Sequence, residues 1–397
     1  MNDQLYWIWL SKALGAGART DEILSAFPHP RKLYEANLTD RMLAGVFTKV
    51  QMERLQSTPL EAAVQIAELC ARNGWQIYTP QDAGYPAQLQ SLVDQPLTLY
   101  SDGALEMLER RVAIGVVGTR KPTVDSMNIA RRICADMAAA GAVIVSGGAL
   151  GIDSAAHEGA LLAGGPTVCV MGCGLGTDYL RDNEALRREI RANGALVTEY
   201  PPFTPASRYT FPTRNRLISG MSLGVLVVEA GEKSGSLITA RRANEQGREV
   251  FAIPGSVLTT AYKGVNSLIR DGAKAVTCAQ DVLAAFAMMY PDRLDLTRTG
   301  PLATEPPAAP QTPTAAKTTA QTAVAEAPAA EKTKKVPAAP LDPDAARVYN
   351  LFGGTPLHPD EIAAAAGLTP AQLIPVLMQL TLADLIAPTD GGCYILT

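Results

Sequence analysis

The sequence predicts an α/β protein with an extended Rossmann-like, doubly wound and mostly parallel sheet, flanked by a small N-terminal helical module and a C-terminal winged helix. Between residues 111 and 290, short apolar runs alternate with helical segments. The runs are apolar at successive positions, which is typical of parallel strands buried on both faces. Strand–helix alternation in turn favours a doubly wound fold. The predicted strands are 112–117, 142–145, 166–171, 195–197, 224–228 and 250–253.

Helices are predicted between these strands, and two further strand-like runs precede them. The helices are 125–140, 152–163, 183–193, 213–221, 235–246 and 265–271, and the two runs are 75–78 and 97–100. The predicted Rossmann-like domain covers residues 66–290.

Composition and charge exclude several classes of protein. The 397 residues are 47% hydrophobic and 19% charged, which excludes disorder throughout the chain. A net charge of −4 excludes a wholly basic nucleic-acid coat. There is no signal-peptide pattern and no run of about 18 apolar residues, so we expect no membrane span and a cytoplasmic location.

The cysteines and histidines do not suggest a metal or cofactor site. Six cysteines include no C-x-x-C pair, and the chain has only three histidines. Buried free thiols in a reducing compartment are the favoured interpretation, with a metal or disulfide site as the alternative.

Residues 1–65 are predicted to form a module of short helices, similar to a helix-hairpin-helix or SAM-like unit. The turn Gly15-Ala16-Gly17 joins two of these helices, and the second begins at Asp21. Such a turn can hold a DNA phosphate on backbone N–H groups. The module carries seven Lys or Arg and seven Asp or Glu residues. This balance favours a packing or partner-binding role over a DNA grip.

The C-terminal part changes character twice. Residues 291–340 are predicted to be a flexible linker, because the segment 301–340 has eight prolines and no aromatic residue. Residues 341–397 are predicted to form three helices and a β-ribbon, as in a winged helix. This region has one cation and six anions, and its third helix, Pro370–Leu382, lacks Lys and Arg. We therefore expect it to contact a protein partner and not DNA.

The loop after the first core strand is the strongest candidate for an anion site. It reads Gly118-Thr119-Arg120-Lys121 and precedes a helix. Glycine lets a ligand approach the backbone, and the helix N-terminus and arginine favour a phosphate. In open α/β sheets, ligands bind at this edge.

Other loops are expected at the same edge. The second carries Gly147 and Gly148 and is followed by Asp153 and His157, for which a metal or acid–base role is open beside helix capping and a structural hydrogen bond. The third carries Arg181. A later turn carries Arg214, Asn215 and Arg216. Tyr179, Tyr209 and Phe211 are candidates for base stacking, although a core position is the favoured interpretation of Phe211, which precedes a proline in a strand-to-helix turn. Residues 111–272 hold 18 Lys or Arg against 14 Asp or Glu, so the local charge is +4.

These motifs together resemble one family, the DNA processing protein A family, also called DprA or Smf. The resemblance covers roughly residues 70–285. It is carried by Gly118-Thr119-Arg120, Ser146–Asp153, Phe211–Arg216, Ser234–Ala240 and Gly264-x-Asn266.

The resemblance implies a binding protein and not an enzyme. Such proteins bind single-stranded DNA and form homodimers through the Rossmann-like domain. They protect incoming strands during natural transformation and help to load the RecA recombinase. The resemblance also implies a phosphate contact at Gly118, Thr119 and Arg120, and a further DNA contact at Arg181. Leu150 stands where the family usually has arginine.

The main alternative is an enzyme of the lysine-decarboxylase-like phosphoribohydrolase class, which shares the Rossmann topology. Its P-G-G-x-G-T-x-x-E motif is not matched by either glycine-rich loop, although Glu199 and Glu229 follow strands. A dinucleotide-dependent oxidoreductase would need the G-x-G-x-x-G spacing after the first strand, which is also missing.

Overall fold

A computed structural model describes residues 3–179, 181–299, 342–352, 357, 359–383, 385–388 and 393–396. Two compact units are present, one on either side of the segment 300–341. Most of the predicted linker therefore lies outside the described residues.

The first unit is built on a sheet whose strands were largely predicted. In the described residues it has nine strands in the order β1-β2-β6-β5-β4-β3-β7-β8-β9. The pairs from β6 to β9 are parallel, and β1 and β2 add antiparallel strands at one edge. The strands are β1 (Gln76–Tyr78), β2 (Leu99–Asp102), β3 (Ala113–Val117), β4 (Val143–Ser146), β5 (Thr167–Val170), β6 (Ala195–Thr198), β7 (Gly224–Val227), β8 (Glu249–Ala252) and β9 (Lys274–Ala275).

Burial on both faces explains why the core strands are apolar at every position. In β3, Ala113 and Val117 belong to one buried cluster, whereas Ile114 and Val116 belong to the cluster on the opposite face. Successive side chains of a strand point to opposite faces, so both sets must be apolar when helices cover both. The covering helices are α7 (Met107–Arg110), α8 (Val124–Ala139), α9 (Ile152–Leu162), α10 (Glu184–Asn193), α11 (Thr210–Gly220), α12 (Ser236–Glu245), α13 (Lys263–Arg270) and α14 (Ala279–Ala287).

The N-terminal helices extend beyond the predicted boundary at residue 65. They are α1 (Gln4–Leu14), α2 (Asp21–Ala26), α3 (Pro30–Glu35), α4 (Leu38–Leu43), α5 (Lys49–Ser57) and α6 (Leu60–Asn73). Buried residues of α6, including Ala63 and Cys70, pack in one cluster with Trp7 and Trp9 of α1. The helical module therefore continues to Asn73, because α6 is a single amphipathic helix of that core.

The predicted start of the linker at residue 291 is also corrected. The N–H of Asp295 donates to the carbonyl of Ala140 at 2.9 Å, and the guanidinium of Arg298 donates to the carbonyl of Ala139 at 3.1 Å. Leu294 and Leu296 pack on the buried cluster that contains Ile114. The described first unit thus includes residues 291–299.

The second unit has the predicted arrangement of three helices followed by a two-stranded antiparallel ribbon. On α17, Leu377 and Leu380 are buried, whereas Ile374 and Met378 are exposed. The elements are α15 (Pro343–Leu351), α16 (Pro359–Ala366), α17 (Pro370–Leu382), β10 (Ile386–Pro388) and β11 (Tyr394–Leu396). Of the helices within the described ranges, none has the length and apolar character that crossing a membrane requires.

Candidate nucleic-acid interface

A cleft of about 550 Å³ lies at the carboxyl ends of β3 and β7. These strands are neighbours in the sheet, and the chain leaves them towards opposite edges. This is the topological switch point of a doubly wound sheet, where such folds bind ligands. The walls come from the loop after β3, the start of α9, the first turns of α11, and the loop that enters α12.

The loop after β3 brings Gly118, Thr119 and Arg120 to the cleft wall. Gly118 packs closely on Ile152, because a Cβ atom at position 118 would lie 2.5 Å from that side chain. The N–H of Thr119 is already used, since it donates to the carbonyl of Glu229 at 2.8 Å. The N–H of Thr119 is therefore engaged within the protein, and the exposed guanidinium of Arg120 is a charged group of this loop that can meet an anion.

The N-terminus of α8 already holds an anion. The buried carboxylate of Glu229 accepts hydrogen bonds from the N–H and the hydroxyl of Thr123, at 3.0 and 2.8 Å. A negative group at this position is stabilised by the helix dipole and by the N–H groups of the first turn. Glu229 thus uses two of the donors at this helix N-terminus, the N–H and the hydroxyl of Thr123.

Gly147 and Gly148 are partly exposed and lie close to two side chains. The guanidinium of Arg214 donates to the carbonyl of Gly147 at 2.8 Å and also to that of Val170. A Cβ atom at Gly147 would lie 2.7 Å from this guanidinium, and one at Gly148 would lie 2.5 Å from Cys169 Sγ. Their lack of side chains makes room for Arg214 and Cys169, and a nucleic-acid contact at Gly147 and Gly148 stays a prediction.

Arg214 forms part of the floor of the cleft beside Asp153. Both side chains are buried, and burial raises the pKa of the Asp153 carboxyl although Arg214 opposes the shift. Burial likewise lowers the pKa of Arg214, with Asp153 opposing. Asp153 also accepts from the N–H of Ala149 at 3.4 Å. These contacts favour the structural interpretation of Asp153 over an acid–base role.

Phe211 lines the cleft close to two arginines. The guanidinium carbons of Arg120 and Arg214 lie 5.3 and 5.8 Å from its ring centroid. The ring of Tyr179 lies 5.3 Å away, centroid to centroid. Phe211 is only partly buried. It therefore presents an aromatic surface close to two cationic groups.

Arg208 is a cleft residue that the sequence analysis missed. Its side chain is exposed, and its guanidinium carbon lies 4.7 Å from the ring centroid of Tyr209. The sequence did contain a signal for this residue: Arg208 is a cation directly followed by a tyrosine, and it comes three positions before Phe211. The small residues Ser234, Gly235 and Ser236 form the wall at the start of α12.

Arg216 was predicted to bind nucleic acid, and the structure corrects this. Its side chain is buried, with Nη2 at 2.8 and 2.7 Å from the carboxylate oxygens of Glu199. Its Nε lies 3.3 Å from Oδ2 of Asp94. Residues two positions apart on a helix point about 200° apart, so Arg216 cannot share the direction of Arg214.

The remaining predicted site residues have different surroundings. Asn215 lines the cleft and accepts from Nε of Arg214 at 3.3 Å. Lys121 is exposed directly after Arg120. Arg181 begins a short 3-10 helix, and its side chain lies outside the described part of the structure. His157 is buried, with Nδ1 2.7 Å from the hydroxyl of Thr167. Among the described residues, no group of three His, Cys, Asp or Glu side chains could hold a metal ion.

Comparison with known proteins identifies the family. Residues 76–287 match the family model described as DNA recombination-mediator protein A. The chain belongs to this family, the DNA processing protein A (DprA/Smf) family. Residues 332–392 match a second model, the DprA winged helix domain. The second unit is thus a DprA-type winged helix.

Individual DprA proteins agree with this assignment. The DprA of Streptococcus pneumoniae is 38% identical over 64% of this chain and 90% of its own length. The Bacillus subtilis protein is 43% identical over 50% of this chain and 67% of its own length. The solved structure of pneumococcal DprA matches with a TM-score of 0.61 and 34% identity, covering 72% of this chain and 98% of that chain. DprA proteins are named for DNA processing and recombination mediation, and not for an enzymatic activity.

Proposed function

We propose that this chain binds single-stranded DNA in the cleft after β3 and β7. The observation that carries the proposal is that the guanidinium groups of Arg120 and Arg214 both lie within 6 Å of the ring centroid of Phe211. An aromatic face can stack on any base, and a nearby guanidinium can bind the adjoining phosphate. Membership of the DprA family supports DNA as the ligand.

The aromatic lining of the cleft favours a single strand over a duplex, because Phe211 is one of its lining residues. Bases in a duplex are stacked on each other, and their faces are not available to a protein ring. We expect a strand with unstacked bases to reach Phe211, while Arg120 and the exposed Arg208 and Lys121 meet its phosphates.

The binding contacts that we propose carry little sequence information. Guanidinium groups read the phosphate backbone, which is the same for every sequence. The hydroxyls of Ser234 and Ser236 add small polar groups on the opposite wall. Arg181 stays a predicted contact because its side chain is outside the described residues. Binding should therefore depend on salt and strand form more than on sequence.

The biological part of the proposal follows from the family. We propose that the protein is cytoplasmic, binds incoming strands as a homodimer during natural transformation, protects them, and helps RecA to load onto them. The support for these steps is the resemblance in the DprA region and the family match over residues 76–287. Two sites on one strand would strengthen binding if both engage together.

Fluorescence anisotropy tests the binding proposal directly. Labelled oligo-dT and its duplex with oligo-dA are titrated with the full chain at low and high salt. Tight, salt-sensitive binding that prefers oligo-dT supports the proposal. No binding at low salt would exclude it, and a test for release of base from nucleoside monophosphates would then address the phosphoribohydrolase alternative. Sedimentation equilibrium tests the homodimer, and RecA strand exchange on strands precoated with single-strand-binding protein tests RecA loading.

A further inference from the structure

The Gly15-Ala16-Gly17 turn of the N-terminal module rests on α11, the helix that carries Phe211. The N–H of Gly17 donates to Oε1 of Glu199 at 3.4 Å. A Cβ atom at Gly17 would lie 2.6 Å from the Cγ2 methyl of Thr213. The backbone of Gly17 has φ +74°, which an L-residue adopts only with strain. The turn is therefore used to dock on the Rossmann-like domain.

Arg216 connects this turn to a second contact of the same module. Its Nη2 holds Glu199, the residue that accepts from Gly17, and its Nε faces Asp94. Residues on both sides of Asp94 bind the start of α2: the carbonyls of Val93 and Gln95 accept from the N–H and hydroxyl of Thr20, at 2.9 and 3.0 Å. Arg216 is thus enclosed by two segments that the module also contacts.

The geometry of α11 links this contact to the cleft. Thr213, which meets Gly17, lies between Phe211 and Arg214, which line the cleft. These residues share the first turns of one helix. A shift of the helix at Thr213 must therefore move the aromatic ring, the guanidinium, or both.

We propose that the contacts of Gly17 with Thr213 and Glu199, together with the Glu199–Arg216 ion pair, position the first turns of α11. The N-terminal module then sets the affinity of the cleft for single-stranded DNA without touching the strand. Gly17, Thr213, Glu199 and Arg216 are positioning residues in this arrangement. The inference rests on the proposed function of the cleft.

The test compares two glycine substitutions at positions with similar positive φ, +74° at Gly17 and +69° at Gly74. Gly17→Ala adds a methyl group against Thr213. Gly74→Ala is the matched control: Gly74 has φ +69°, and among the described residues no atom beyond its chain neighbours lies within 4 Å of the place that the added methyl group would take. Thr213→Ser removes the methyl that Gly17→Ala would meet, and it keeps a hydroxyl for the bond to the carbonyl of Tyr209. Each full-length variant is titrated with labelled oligo-dT after its fold is checked by circular dichroism.

We expect Gly17→Ala to weaken oligo-dT binding by about five- to tenfold, on the scale of a partly lost charged hydrogen bond. Gly74→Ala and Thr213→Ser alone should bind as the wild type does, and Gly17→Ala combined with Thr213→Ser should regain most of the affinity. A recovery of affinity in the double variant would show that Gly17→Ala acts through its contact with Thr213 and not through a general loss of stability. Wild-type affinity in Gly17→Ala, or a loss that Thr213→Ser does not rescue, would overturn the inference.

Two further measurements keep the outcome unambiguous. Arg120→Ala is titrated in parallel: if it binds normally, the proposed function of the cleft fails, whereas normal binding by Gly17→Ala alone overturns only the positioning. If Gly17→Ala does not fold, hydrogen exchange of the wild type decides. Oligo-dT should slow exchange in the peptide that contains Gly17 as well as in that of Phe211. Unchanged exchange at Gly17, with protection at Phe211, would contradict the coupling.

Discussion

Arg216 holds both carboxylate oxygens of Glu199 with a single nitrogen, Nη2, at 2.8 and 2.7 Å. Both side chains are buried, and Asp94 adds a second carboxylate 3.3 Å from Nε. Glu199 follows β6 and Arg216 lies on α11, so the pair joins one edge of the parallel sheet to the helix that lines the cleft. Burial raises the pKa of Glu199, while Arg216 acts in the opposite direction.

We expect Arg216→Ala to lower the free energy of unfolding by about 3–5 kcal/mol, because it leaves a buried carboxylate without its partner. Urea unfolding followed by tryptophan fluorescence measures this, since the three tryptophans are Trp7, Trp9 and Trp75. Arg72→Ala, at an exposed arginine on α6, is the control. A loss below about 1 kcal/mol would show that solvent or rearrangement compensates for the missing guanidinium.

Arg120→Ala tests the charged contact of the cleft. The substitution removes an exposed guanidinium that lies 5.3 Å from the ring centroid of Phe211. We expect binding to oligo-dT to weaken by about 1–3 kcal/mol, the range of a charged hydrogen bond. The dependence of affinity on salt should also become shallower, because fewer counterions are released. Arg72→Ala again serves as the control, and an unchanged isotherm for Arg120→Ala would contradict the assignment of the cleft as the binding site.

Truncation after Thr299 tests the role of the winged helix. Residues 341–397 contain one cation and six anions, and α17 has no Lys or Arg. A net negative unit is not expected to add phosphate contacts. The truncated chain keeps the contacts of Asp295 and Arg298 with the end of α8. We expect its affinity for oligo-dT to stay within about twofold of the full chain. A loss above about tenfold would assign DNA contacts to the removed residues.

The fold was largely predictable because strands that are buried on both faces of the sheet are apolar at successive positions. Every core strand from β3 to β8 coincides with a predicted apolar run. The strand β9 was not predicted. It consists of Lys274 and Ala275, both exposed, and two residues are too few to show the hydrophobic pattern of a strand. The predicted module boundary at residue 65 falls inside α6, whose buried face continues from Ala63 to Cys70.

The site was predicted in position more accurately than in detail. The alternation of strands and helices indicates a parallel sheet, and a parallel sheet places the ligand site at the carboxyl ends of its strands. The hydrogen-bond and ion-pair partners of single residues could not be predicted, because they come from distant segments of the chain. The N–H of Thr119 donates to Glu229, and Arg216 pairs with Glu199. The opposite directions of Arg214 and Arg216 could have been predicted from the helical period alone.

His157 provides a prediction on pH. It is fully buried, and burial lowers its pKa to about 3. The unfolded chain, with an ordinary histidine pKa near 6.5, binds a proton in the range between these values while the folded chain does not. Acidification from about pH 6.5 towards pH 3 therefore favours unfolding, and at pH 5 this histidine should cost about 2 kcal/mol relative to neutral pH.

The comparison with His157→Gln isolates this effect. Glutamine cannot titrate, and its amide can still reach the hydroxyl of Thr167, which lies 2.7 Å from Nδ1 of the histidine. Asp153 and Glu199 act in the opposite direction, since their raised pKa values favour the folded state as the pH falls, but they are present in both proteins. Urea unfolding at pH 7.5 and pH 5 should show that the wild type loses about 2 kcal/mol more than the variant. Equal losses would mean that the folded protein admits a proton at His157.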